Sequence, residues 1–257
     1  MTMKLSILGC SGGIGGEHLR TTSLRVDDDI LIDAGTGVGD LGMAELAHID
    51  HVFLTHTHLD HIACLPLLID TVADRRSTPL TVYAIRPVLD ILRAHLFNGL
   101  LWPDFAGLPS AEQPFMRYQP IEVLQPVIIG GRTLTALPVE HTVPAVGYRL
   151  DSGAASLVFS GDTGPCDAFW QAVNDIDNLR HLIIECAFPD REEALAIASR
   201  HLCPRQLALE LRKLERPCDI HITHLKPGQM ELTMAEIERS LGEFRPQLLR
   251  HKQVFEF

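Results

Sequence analysis

Short apolar, β-branched runs recur along the chain, each closed by glycine, proline or a polar residue. They read KLSILGC, DILIDAG, HVFLTH, LTVYAI, PVIIGG, RTLTALPV, AVGYRL, SLVFSGD, HLIIEC and DIHITH, a pattern that predicts strands. Between them, residues 39–47, 63–74, 87–96, 167–174, 191–200, 204–214 and 233–243 carry apolar positions at helical spacing. Pro204 opens one of these helices, and Pro217 follows its end near Leu214. Residues 98–125 are rich in proline and aromatics and predict an irregular excursion. No repeat, low-complexity tract or linker interrupts the pattern, so residues 1–257 read as one domain.

Polar residues at the ends of these runs change the picture. His56, Asp162, Glu185 and His224 each fall at the C-terminal end of a short apolar run. A strand fixes position while the loop after it exposes a side chain, so chemistry tends to collect there.

Composition narrows the function classes. Hydrophobic residues make up 46% and charged residues 21%, enough for a sizeable core without disulfides. The net charge of −11, with no block of Lys or Arg, argues against extended contact with nucleic acid. It leaves room for a small anionic substrate, because a metal ion supplies positive charge locally. The apolar run at the N-terminus is too short for a membrane span and lacks a signal-peptide layout. The six scattered cysteines, with no CxxC pair, suggest neither a disulfide framework nor a thiolate metal site. Together these features predict a cytoplasmic protein.

The densest chemistry is HTHLDH. His56 and His58 alternate along an extended stretch, so their side chains share a side. Asp60 and His61 are expected on the turn that follows. Imidazole and carboxylate suit zinc, and also manganese or iron. A solvated turn would explain any one of these histidines, but it explains four ligand-type residues in six positions poorly. His141, Asp162 and His224 end later β-rich runs. Singly, Asp162 could cap a helix, and His141 or His224 could be satisfied core histidines.

HTHLDH followed in order by His141, Asp162 and His224 resembles the metallo-β-lactamase superfamily, and Asp33 in ILIDAGTG matches its early strand-ending aspartate. The resemblance implies an α/β fold, a four-layer αββα sandwich, with two divalent ions at one edge, zinc or else manganese or iron. It implies one ion on His56, His58 and His141, the other on Asp60, His61 and His224, Asp162 between them, and Asp33 orienting ligands from behind. GDTGPCDAFW, LIIECAFPD, SRHLCP, THLKP and HLFNGLLWPDF further resemble the class II cyclic-nucleotide phosphodiesterases. After HTHLDH that group usually has Gly or Ser, where this chain has IACLPLLID. HTVPAVGYRL is similar to ribonuclease Z, which normally carries a basic arm that is not evident here.

The resemblance therefore implies hydrolysis of 3′,5′-cyclic nucleotides to 5′-monophosphates by a hydroxide shared between two ions. Asp60 would help orient that hydroxide, His201 would give the leaving oxygen its proton, and Glu185 would hold His201. Helix capping for His201 and a buried ion pair for Glu185 are the structural alternatives. tRNA processing is the second reading, and a lactonase-like hydrolase or a non-catalytic metal domain comes after it. The expected partners are a small cyclic nucleotide and a second copy of the chain, with no membrane and no nucleic acid. Phe97, Trp102 and Phe105 read as core or dimer packing, with Trp102, His95 and Asn98 kept as candidate substrate contacts. Lys226 could meet phosphate, although a lysine beside proline in a loop is ordinarily solvated. His18, His48, His51, His181, His221 and His251 complete no ligand pattern.

Overall fold

The computed structural model describes residues 2–16 and 18–257. Its first sheet contains β1 (Lys4–Gly9), β2 (Ser23–Val26), β3 (Ile30–Ile32), β4 (His51–Phe53), β5 (Leu80–Ile85) and β6 (Met116–Ile121). The C-terminal β14 (Val254–Glu256) joins this sheet beside β1. The second sheet contains β7 (Pro126–Ile129), β8 (Arg132–Pro138), β9 (Val146–Asp151), β10 (Ser156–Phe159), β11 (Leu179–Glu185), β12 (Asp219–Thr223) and β13 (Gln247–Leu248). Both sheets follow one plan, antiparallel at one side and parallel from β3 to β6 and from β10 to β13.

Parallel neighbours need crossovers, and most of these are helical. Helices α1 (Met43–His48), α3 (Leu65–Val72) and α4 (Arg86–His95) cover the first sheet. Helices α5 (Asp167–Asn174), α7 (Pro204–Leu211) and α8 (Met230–Leu241) cover the second. The single turn α2 (Leu59–Ile62) and α6 (Glu193–Ser199) stand near the loops described below. The result is a four-layer αββα sandwich.

The long apolar runs now have a reason: the central strands are buried on both faces. In β11, Leu182 and Ile184 pack under α5 and α7, while Ile183 faces the other sheet with Leu5, Phe53, Tyr148 and Phe159. In β4, Val52 likewise meets α3 while Phe53 points between the sheets. The helix after HTHLDH packs by the same rule despite its departure from the family run, with Leu65, Leu68, Ile69 and Val72 buried on the first sheet.

The expected irregular excursion at 98–125 requires correction, because β6 lies inside it. This strand forms a sheet edge and half of it is exposed, so MRYQPI lacks the apolar run of a central strand and tolerates Pro120. The edge strand β14 escapes the pattern for a similar reason. Phe97 and Phe105 are core residues, and Trp102 packs against the same cluster. Asn98 is a local brace: its amide donates to the Ala94 carbonyl and its oxygen accepts from the Leu100 and Leu101 N–H groups. All six cysteines are free. Among the described residues no helix is long and apolar enough to cross a membrane.

Candidate metal centre

The chain leaves β4 through residues 54–58 and enters α2 directly. His58 is the extended residue before that helix (φ −63°, ψ 146°), and Asp60 and His61 lie on the helix itself. The expected turn is thus one turn of helix, and from it Asp60 and His61 converge, with Oδ2 and Nε2 3.9 Å apart. Asp162 follows β10, Glu185 is the last residue of β11, and His224 is the first after β12.

These loops bring the seven residues together. An oxygen of Asp162 lies 3.5 Å from His56 Nε2, 3.3 Å from His61 Nε2 and 3.9 Å from His141 Nε2. Its other oxygen is 3.3 Å from His224 Nδ1. Asp60 Oδ2 is 3.9 Å from His61 Nε2 and 3.7 Å from His224 Nε2. His141 Nε2 and His58 Nδ1 stand 3.1 Å apart. Donor atoms of His56, His58, His141 and Asp162 all lie within 4.8 Å of one another, as do those of Asp60, His61, His224 and Asp162.

Hydrogen bonds behind the rings determine which nitrogens face inward. Thr55 Oγ1 donates to Asp33 at 2.8 Å, so at 3.0 Å it accepts from His56 Nδ1–H. His61 Nδ1–H donates to Asp33 at 2.7 Å, and His141 Nδ1–H donates to the Arg200 carbonyl at 3.1 Å. With their protons on Nδ1, the neutral rings of His56 and His141 point Nε2 lone pairs at the Asp162 carboxylate, whereas for His61 burial is outweighed by the charges of Asp162 and Asp33, which push it well above an ordinary histidine. Burial disfavours the charged form of the other rings: it pushes His56, His58 and His224 down and His141 to about 4. Lone pairs facing a carboxylate repel unless a cation sits between them. Accordingly, His56 Nε2, His61 Nε2 and both ring nitrogens of His224 are buried without hydrogen-bond partners. The donor set fits divalent metal, and neither His224 nor Asp162 has its structural alternative: the ring is unsatisfied, and the residue preceding α5 is Cys166.

A second arrangement adjoins the first. Glu185 Oε1 lies 2.7 Å from His201 Nδ1, and Glu185 also accepts from the Thr163 and Leu202 N–H groups. The His201 ring stacks 5.2 Å from that of His224, and a ring nitrogen comes within 4.8 Å of Asp162. Burial alone would push His201 down, but the charge and hydrogen bond of Glu185, with Asp162 behind them, raise it above an ordinary histidine. His201 is no helix cap, since Cys203 precedes α7.

A family model described as a β-lactamase superfamily domain matches residues 28–241. The chain belongs to the metallo-β-lactamase superfamily. Within that superfamily it is 27% identical over 271 aligned positions to a probable 3′,5′-cyclic-nucleotide phosphodiesterase of Yersinia pestis, covering 86% of this chain and 77% of the relative. It is 31% identical over 170 positions to ribonuclease Z of Mycobacterium bovis, covering 60% of this chain and 59% of the relative. Unliganded yeast PDE1 shares the fold at a TM-score of 0.81, with 18% identity over 98% of this chain and 99% of that one.

Other residues of this superfamily member hold the site from behind, and motif reading passes over them. Thr55 gives both its N–H and its hydroxyl to Asp33. Gly12 lies so close to the metal loop that a Cβ there would come 2.3 Å from the His224 carbonyl oxygen. Lys226 is not simply solvated: its ammonium donates to the Gly12 carbonyl at 2.7 Å, tying the glycine loop to the loop after His224. The run SGGIGG was the available signal for a close backbone approach, but only the fold shows what approaches.

Proposed function

We propose that this chain is a dinuclear metal phosphodiesterase that opens 3′,5′-cyclic nucleotides to 5′-monophosphates. In this reading residues 1–257 act as one domain, in the cytoplasm and as a homodimer. His56, His58 and His141 would hold one ion, Asp60, His61 and His224 the other, and Asp162 both. Zinc suits this imidazole-rich set, and manganese or iron would also be accepted. Two such ions supply an acidified water and positive charge for the phosphoryl oxygens.

The observation that carries the reading is the His201–Glu185 pair beside the seven donors. Opening a cyclic phosphodiester expels an alkoxide that needs a proton. His201 holds one on Nε2 when charged, facing the site because Nδ1 is committed to Glu185. Glu185 is the positioning residue, pinned by two backbone N–H groups, so the ring keeps one orientation through the proton's departure. Asp60, which stays partly exposed, would orient the water. A lactone or lactam hydrolase has less need of such a dedicated donor.

A ribonuclease Z-like activity is the second reading, favoured by the 31% identity to the mycobacterial enzyme. The net charge of −11 opposes a polyanionic substrate. Turnover of the metal-loaded protein on cAMP, cGMP, a generic phosphodiester, an acyl-homoserine lactone and pre-tRNA separates these readings. Cyclic nucleotides are expected to be cleaved fastest. Fast cleavage of pre-tRNA with none of cyclic nucleotides would replace the first reading with the second.

A further inference from the structure

A second cavity, about 390 Å³, opens beside the metal loop between the segment after β1 and the segment before β14. Its inner wall is apolar, with Leu225 and Leu249 each only 2% exposed, and Leu19, Met230 and Leu248 extend it outward. Its outer wall is cationic. Arg250 and Lys252 are exposed and form no ion pair with a described residue, whereas His251 is shared with Asp40 at 3.5 Å. Ser11 completes the lining: it is 4% exposed, and its hydroxyl is buried with no hydrogen-bond partner. Such a hydroxyl is costly to leave unmatched, and an apolar pocket with a few convergent polar groups has the character of a ligand site.

The cavity wall is continuous with the metal centre. Leu225 follows His224, and the Leu225 carbonyl accepts from the Gly12 N–H at 3.1 Å. The His224 N–H donates to the carbonyl of Cys10, another lining residue, at 2.9 Å. Gly12, which packs on His224, is the neighbour of Ser11. Any shift of this wall is therefore delivered to His224 through backbone hydrogen bonds.

We propose that this cavity binds an amphipathic anion, a carboxylate or phosphate monoester on a short alkyl or aryl body, and that its occupancy tunes the metal centre through His224. The head group meets Arg250 and Lys252, and the body lies along Leu225 and Leu249. The tuning rests on the metal-centre reading above, whereas the binding does not. The probes are octanoate, octyl phosphate and uncharged octanol, titrated into metal-free and metal-loaded protein and followed by calorimetry and amide chemical shifts. The anions are expected to shift residues 10–19 and 248–252 saturably in both forms, with octanol weaker. The exposed pair Arg250→Gln and Lys252→Asn should weaken octanoate about tenfold while sparing octanol; asparagine suits the positive φ at Lys252. Leu19→Trp should fill the cavity and abolish all three.

Anion shifts confined to residues 56–61 would overturn the site, as would equal binding of octanoate and octanol. Binding with no change in metal affinity would overturn the tuning alone. A protein inactive on every phosphodiester that still binds octanoate would sink the proposed function and leave the site standing.

Discussion

Glu185 Oε1 lies 2.7 Å from His201 Nδ1, and the same carboxylate accepts from the Thr163 and Leu202 N–H groups. Three donors fix its position, so Glu185 cannot turn toward the metal donors without losing them. His201 therefore keeps Nε2 toward the site, and although the pair lies within 4.8 Å of Asp162, its own hydrogen bonds give it a role separate from the seven residues proposed as ligands.

This separation makes His201→Ala informative. The variant is expected to keep its metal content and lose about 10²- to 10⁴-fold in turnover of a cyclic nucleotide. It should lose much less on a diester with a nitrophenolate leaving group, which departs without a proton. Metal analysis beside both assays checks this. Coincident loss of metal, or equal losses on the two substrates, would argue against proton donation.

Asp33 shows how far motif reading goes. Its place at the end of ILIDAG suggests an orienting acid, and the structure gives it three donors: the Thr55 N–H, the Thr55 hydroxyl and His61 Nδ1–H. Thr55 itself was invisible as a partner, because nothing local marks a threonine that must face an aspartate 22 residues earlier. Asp33 also sits at φ 57°, which asparagine tolerates better than most residues. Asp33→Asn should therefore keep the backbone while turning an N–H against a donor, costing roughly 1–3 kcal/mol. Urea unfolding with metal titration tests this: an unchanged midpoint together with unchanged metal affinity would show that Asp33 is not the support described.

The strands and helices that were legible are those whose burial imposes a period. Residues 80–85 and 167–174 coincide with β5 and α5 to the residue. The edge strands β6 and β14 were not, whereas the equally exposed edge strand β7 was, because its run PVII is apolar. In the site, the clustered HTHLDH was legible because four ligand-type residues crowd one strand end. His141, Asp162 and His224 needed the resemblance, since each joins the cluster only through the meeting of the two sheets. The supports at Gly12, Thr55 and the Arg200 carbonyl act through backbone atoms or through a contact that no spacing encodes.

Chelation should expose the cost of the inward lone pairs. With four buried ring nitrogens unpartnered around Asp162, the metal-free protein is expected to unfold at lower temperature than the loaded one. At metal about 100-fold above its dissociation constant the difference is ~2.7 kcal/mol per site. Asp162→Ala should remove most of that gain, because its oxygens face His56, His61, His141 and His224. Calorimetry with and without added zinc provides the comparison, and an equal zinc-induced rise in the variant would contradict the shared role of Asp162.

Stability toward acid should trace to a different pair of histidines. His221 on β12 and His181 on β11 lie between the sheets with ring centres 5.8 Å apart, and Phe255 packs on both. Neither nitrogen of His221 has a hydrogen-bond partner. Burial, aided by His181 and opposed by Asp219, pushes His221 down to about 4. His181 is lowered too, chiefly by burial and against the pull of Asp219, with Arg180 assisting. In the unfolded chain both titrate near 6.5, so the unfolded state takes up protons first as pH falls. Stability from these rings is complete above about pH 6.5 and declines toward pH 4, and the His221 part falls no further once the folded ring is itself protonated, a loss on the order of 3 kcal/mol for His221. The proposed ligand histidines also titrate, so the difference between wild type and His221→Leu isolates this contribution. Urea midpoints measured from pH 8 to pH 4 at fixed metal should fall less steeply in the variant. Parallel curves would show that acid lability lies wholly at the metal centre.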